Sequence, residues 1–218
     1  MRFGKAFWRH FPRDYVMTKI GRSQLRFEDD RFLRGQGQYT DDIRQQDDAT
    51  LVFVRSPHAA AKIVKINLDE AKAIDGVIAI FGWNEMKAGN ASSFKPRAKF
   101  PGPDNGAMRI PPFTALADGF VRYCGEPILG IIAIDKASAD LALEAVSILF
   151  ETSVAVIDVV NALSNGAARV WDIYPDNRCF HFEKGDSNKV KKENANAAHV
   201  IKHQLTISRV TAAALEPR

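Results

Sequence analysis

The chain has 218 residues, 46% of them hydrophobic and 10% aromatic, which suits one large globular domain or one and a half smaller ones and is too apolar for disorder as the default. Thirty Lys and Arg against 26 Asp and Glu leave a formal charge of +4; the basic residues are dispersed and their runs short, so no nucleic-acid footprint is expected. Two cysteines, Cys124 and Cys179, make neither a disulfide framework nor a C-x-x-C pair, and no apolar stretch approaches the ~20 residues of a membrane span, which together read as a soluble, cytoplasmic protein.

Residues 1–19 interleave Arg2, Lys5, Arg9, His10 and Arg13 with Phe3, Phe7, Trp8 and Phe11 and lack the continuous apolar region of a secretory signal, so they read as a basic docking tail. From Ile20 to Ile43 the text is short, charged and Gly-punctuated, as in an irregular segment laid over a surface. Gly35-x-Gly37 lacks both the third glycine and a strand-to-helix setting, which excludes a dinucleotide loop. The adjacent pairs Asp29-Asp30, Asp41-Asp42 and Asp47-Asp48 point apart in extended chain and are expected in solvated turns.

Leu51 to Val54 is a predicted strand, Arg55-Ser56-Pro57-His58 a turn, and Ile63 to Leu68 a strand with alternating polarity. A helical turn over Asp69 to Ala73 leads through Asp75-Gly76 to the strand Val77 to Phe81. His58 is expected to bond backbone in its turn rather than act as a base, because no acid or nucleophile is fixed beside it. Residues 84–118 are rich in Gly, Pro, Asn and Ser and read as a long excursion whose Lys87, Lys95, Arg97, Lys99 and Arg109 could meet an acidic partner.

The stretch Phe120 to Ile134 organises the rest. Val121 and Tyr123 alternate before Gly125-Glu126-Pro127, a break that no element interior tolerates, since Pro lacks the N–H and Gly is entropically costly. These three residues are predicted to form a structural turn, with φ > 0 at Gly125 and Glu126 accepting hydrogen bonds from backbone or from an arginine such as Arg122. Cys124 is expected as a small buried hydrophobe. Ile128 to Ile134 is apolar on both faces, as a central covered strand requires. Ala139, Ala142, Ala145, Val146 and Leu149 then mark one face of a helix capped by Asp135 or Ser138, and Val154 to Ile157 returns as a strand, making a crossover unit.

Beyond Asn161 a Gly/Ala connection leads to Pro175-Asp176-Asn177, a turn signal. Lys189, Lys191 and Lys192 are placed in a solvated loop, and residues 185–198 act as a polar hinge. His199 to Val210 alternates as a strand; His199 and His203 would then lie roughly 13 Å apart, too far to share one zinc ion. Its unpaired edge predicts self-association through residues 199–210, or failing that disorder there.

Several stretches in this order resemble the molybdenum hydroxylase large subunits, the family of xanthine dehydrogenase, aldehyde oxidase and aerobic carbon monoxide dehydrogenase. They are I-G at Ile20, R-F-E-D at Arg26, R-F-L-R-G-Q-G-Q-Y-T-D-D at Arg31, V-R-S-P-H-A at Val54, D-G-V at Asp75, V-R-Y-C-G-E-P at Val121, P-D-N at Pro175, G-D at Gly185 and L-E-P-R at Leu215. The chain departs from the family's usual wording after His58, after Glu151 and at Leu215, none of which breaks the fold.

The resemblance implies an α+β fold: a tail at 1–19, an α/β hammerhead domain with strand-helix-strand units at 20–160, and at 161–218 a linker and the truncated opening strands of the first molybdopterin-binding domain. It implies a molybdopterin-type molybdenum cofactor in the complete enzyme, with FAD and 2Fe-2S centres in partner subunits or domains, and oxidative hydroxylation of an aldehyde, an N-heterocycle or carbon monoxide. The family's cofactor contacts and glutamate base lie beyond the Glu-Pro-Arg stretch, so no catalytic, cofactor-binding or metal residue is assigned here. The chain alone is then a non-catalytic scaffold whose partners are the remaining molybdopterin-binding domains and the iron–sulfur and flavin subunits. The alternative is a stand-alone partner-binding or assembly protein derived from the hammerhead domain.

Overall fold

A computed structural model describes Gly21 and residues 26–39, 42, 43, 45 and 47–207; the basic tail lies outside these. The chain divides into two units, residues 1–45 with 209–218, and residues 46–208. In the first, Asp29–Leu33 is a short helix, α1, where the sequence suggested irregular chain. Arg31 and Arg34 pair with Glu28 and Asp30 one turn back, at 2.9 and 2.8 Å, and the Gly35 N–H closes the helix on the Phe32 carbonyl.

The second unit holds two antiparallel three-stranded sheets. One has the order β1 (Thr50–Arg55), β5 (Pro127–Ala133), β3 (Val77–Phe81); the other β4 (Phe120–Val121), β2 (Ala61–Asn67), β6 (Ser147–Thr152). Helix α2 (Asp69–Lys72) links β2 to β3, and α4 (Lys136–Ala145) links β5 to β6. Each strand-helix-strand unit therefore gives one strand to each sheet, and the two units interlock: β2 pairs with β6 and β3 with β5. The crossover unit expected from the sequence does not return to the sheet it leaves but crosses to the other.

Its return strand is also not where the helical period placed it. Helix α4 stops at Ala145, Val146 is extended (φ −71°, ψ 126°), and Ser147–Thr152 is the strand; Val154 to Ile157 follow outside any strand, with Val154 and Ile157 largely exposed. Val146 and Leu149 fit a helical stripe by spacing alone. Pairing of Ser147–Thr152 with β2 makes a ladder that the stripe cannot match.

Small side chains let the helices sit close. Ala71 on α2 and Ala142 on α4 are fully buried and, with Ile131 of β5, form a core cluster onto which Val52, Val77, Ile80 and Leu143 pack. A second cluster joins Ala61, Val121, Ile128 and Leu129 to Ile63, Ile66, Ile148 and Phe150, between the two sheets. Asp135 caps α4 by accepting from the Ser138 N–H at 2.8 Å, which holds its carboxyl below the usual carboxylate range.

Residues 84–118 carry more structure than their composition suggests. Trp83–Ala88 is a helix, α3, anchored by the buried Trp83, with Glu85 accepting from the Gly82 N–H; Pro103–Asn105 is a 3-10 turn, and Phe94 bridges to Phe113. Further on, Ser187–Asn196 is a helix, α5, rather than a hinge, with Asp186 accepting from the Lys189 N–H at 2.9 Å; Lys189, Lys191 and Lys192 are exposed on it, not in a loop. Residues 199–207 form no strand and are exposed, and 208–210 lie outside the described residues. Alternation without a pairing partner does not sustain a strand, so the expected edge at 199–210 is absent over its described part.

Gly130 tests the packing of β5. It stands between Phe53 and Phe81 in register, and a Cβ there would lie 2.4 Å from the Phe81 ring. Gly130→Ala is expected to cost about 1–3 kcal/mol in denaturant unfolding, as overpacking does. Adding Phe81→Leu should recover part of it; a Gly130→Ala variant as stable as the parent would show that the ring has room to move.

Candidate functional site

The residues singled out in the sequence meet where β1 and β5 end together. Arg55 is in register with Pro127, with a bulge just before it, and Pro127 starts its strand, where a missing N–H disrupts no interior ladder bond. Past the sheet the pairing continues through the turn: the Gly125 N–H donates to Ser56 O at 2.8 Å and the Ser56 N–H to Glu126 O at 2.9 Å. Arg55 Nη1 donates to Gly125 O at 2.9 Å. V-R-S-P-H-A and V-R-Y-C-G-E-P are thus two sides of one closure.

Gly125 has φ +88°, a conformation that side chains with a Cβ rarely adopt. Glu126, 6% exposed, turns its carboxylate inward to accept from the Arg122 backbone N–H, while its own N–H donates to Tyr123 O at 3.2 Å. A buried carboxylate is tolerated only with such donors. The backbone donor anticipated for Glu126 is present, but the Arg122 guanidinium goes elsewhere. It donates to Phe120 O at 3.1 Å and Val170 O at 3.3 Å and lies 3.6 Å from the Trp171 ring centroid. Burial, first, lowers its pKa, opposed by Glu126, Asp118 and Asp172. Burial also pushes the Tyr123 phenol up, helped by the Glu126 charge.

Ser56 Oγ accepts from the His58 N–H at 3.0 Å and donates to His58 O at 2.9 Å, and the imidazole packs edge-on against Phe150 with centroids 5.0 Å apart. His58 is a turn residue that bonds through its backbone, as expected. Cys124 is exposed, with Sγ 3.7 Å from Pro57 O, and not a buried hydrophobe. Strand β4 ends at Val121, so Cys124 falls on the turn rather than inside a sheet.

Arg109, expected to be open to an acidic partner, has found its acid within the chain. Its Nη1 lies 2.5 Å from Asp176 Oδ1, and its N–H donates to Cys179 O at 2.9 Å. Asp176 is held below the usual carboxylate range by the Arg178 N–H first, then by Arg178 and Arg109 side chains. The contacts of residues 170–182 with Arg122 and the 84–118 excursion had no local signal in the sequence, because they join positions about fifty or more apart.

A cleft of about 320 Å3 opens between the sheets, floored by Ile66, Ile80, Trp83 and Leu129 with Lys72 and Asp118 among its lining. Among the described residues no group of three or more His, Cys, Asp or Glu is placed to hold a metal ion. The site is a closure of the sheet, built from a glycine at positive φ, a buried carboxylate that accepts a backbone N–H, and a half-buried guanidinium.

Gly125→Val should lower stability by about 1–3 kcal/mol through the left-handed backbone alone, since nothing lies within 4 Å of a Cβ there. Glu126→Leu, which leaves the Arg122 N–H without its acceptor, should cost a similar amount. Thermal melts check both, and a Gly125→Val protein melting within a degree of the parent would show that the turn does not require a positive φ.

The profile of the aldehyde oxidase and xanthine dehydrogenase a/b hammerhead domain matches residues 34–153. The nicotine 6-hydroxylase large subunit of Paenarthrobacter nicotinovorans is 30% identical over 199 residues, covering 91% of this chain and 23% of its own length. Among solved structures, quinoline 2-oxidoreductase from Pseudomonas putida 86 superposes with a TM-score of 0.58 at 29% identity, covering 71% of this chain and 19% of that one. A Cu,Mo-CO dehydrogenase in its carbon monoxide reduced state does so at 0.63 and 26%, covering 81% and 22%. The chain thus spans less than a quarter of the length of each. With residues 34–153 matched across both motif stretches and the six strands of the described residues, the chain belongs to the aldehyde oxidase and xanthine dehydrogenase hammerhead-domain family.

Proposed function

We propose that this chain is the hammerhead scaffold of a molybdenum-cofactor hydroxylase large subunit. The observation that carries the reading is the profile match over 34–153, which includes both halves of the closure at Ser56 and Gly125–Glu126. The complete enzyme would hydroxylate an aldehyde, an N-heterocycle or carbon monoxide oxidatively at a molybdenum centre and pass electrons to FAD and 2Fe-2S groups in partner subunits or domains. Relatives named for nicotine, quinoline and carbon monoxide support that range of substrates and do not narrow it.

Within that enzyme residues 20–160 act as the hammerhead, 1–19 as a docking tail and 161–218 as the connection to the first molybdopterin-binding domain. Gly125, Glu126 and Pro127 serve as a structural turn rather than a substrate contact. Among the described residues no helix is long and apolar enough to cross a membrane, and a cytoplasmic setting fits two unpaired cysteines.

The 218-residue protein, purified by itself, is expected to carry no stoichiometric molybdenum and no flavin or iron–sulfur absorption, whereas the product of a reading frame continuing past the Arg218 codon should carry molybdenum. Elemental analysis and an absorption spectrum of both decide it. Stoichiometric molybdenum on the 218-residue protein would overturn the scaffold reading; a stop codon directly after Arg218 would favour the stand-alone partner-binding protein.

A further inference from the structure

The matched hammerhead ends at residue 153, yet two arginines from within it reach out to the chain that follows. Arg122 holds Val170 and Trp171. Some distance along, Arg109 holds Asp176, and its backbone N–H donates to Cys179 O. Between these grips the segment is tied to itself: Asn177 accepts from the Val170 N–H at 2.9 Å and donates to Ala162 O and Ala168 O, both at 2.9 Å. Its far end is tied to the excursion, where Phe100 stacks on Phe180 and meets Phe182 edge-on, the His181 N–H donates to Pro101 O at 3.0 Å, and Tyr174 Oη donates to Ile110 O at 2.9 Å.

We infer that residues 168–182 are not a flexible linker but a strap that closes over the 84–118 excursion as one cooperative piece, with Arg122 as its pin. The guanidinium can do this because it joins both sides at once: it accepts no bonds, donates in a fixed plane to Phe120 O in β4 and Val170 O in the strap, and stacks on Trp171 with its flat face. It is also half-buried, so little water competes for these donors. A strap pinned in this way sets the direction in which the chain leaves the hammerhead. The inference stands on these contacts alone and holds whether or not the molybdenum reading does.

Hydrogen exchange on the full chain, with the parent, Arg122→Met and Trp171→Leu, tests it. Opening the pin is expected to accelerate exchange of the Val170 and Tyr174 N–H groups by about tenfold or more. If the strap opens as one piece, the remote N–H groups of Arg109 and His181 accelerate with them, while those of β5 stay protected. Val170 unchanged in both variants would remove Arg122 as the pin. Acceleration at Val170 and Tyr174 without any at Arg109 and His181 would overturn the single cooperative strap. Should Arg122→Met also loosen the Ser56 and Gly125 N–H groups, the exchange pattern of Trp171→Leu, which leaves that turn untouched, decides between these outcomes.

Discussion

The structure depends on one strand being paired on both edges and covered on both faces. β5 pairs with β1 and β3, and its residues Ile128, Leu129, Gly130 and Ile131 are buried consecutively, so neither face is wet. Helices α2 and α4 cover one side; on the other the Phe81 ring lies where a Gly130 side chain would be. Fully burying residues such as Ile128 and Ile131 contributes about 1.5–3 kcal/mol each. Everything that shapes the ends of β5 follows from keeping it there, including the turn that has to deliver Pro127 in register with Arg55.

That turn shows how a fold can require polar groups in its interior. A chain entering a central strand from a tight reversal brings unpaired N–H and C=O groups with it, and these are met by Ser56, Glu126 and Arg55. Ser56 and Glu126 are the buried polar residues beside an otherwise apolar core, and no buried side-chain nitrogen or oxygen is left without a partner among the described residues. The conspicuous polar wording of both motif stretches thus supplies the hydrogen bonds that close the sheet.

The interlocking of β2-α2-β3 with β5-α4-β6 gives the unit two sheets from two similar pieces. Each piece spans both sheets, so each sheet takes a strand from both pieces. Fully buried alanines at Ala71, Ala139 and Ala142 are what that arrangement asks of its helices, since larger side chains would hold them off the sheets. The excursion between β3 and β4 is then free to lie outside, where Arg109 and Phe100 find the strap.

By itself the sequence determined the strands near 50–55, 61–67, 77–81 and 127–133, the start of α4, the Gly125 turn and the family, because each rests on a local signal: period two, a cap, a glycine–proline break, an ordered set of motifs. Tertiary structure alone decided which sheet each strand joined, that α4 gives way to a strand at Ser147, that Cys124 is exposed and that Arg109 and Arg122 hold residues 170–179. It also decided that residues 199–207 form no strand. The reason is the same throughout. Alternation says which side of a strand would be apolar, but a strand exists only where another chain segment supplies its hydrogen bonds, and an arginine's partner across about fifty residues leaves no mark on its neighbours.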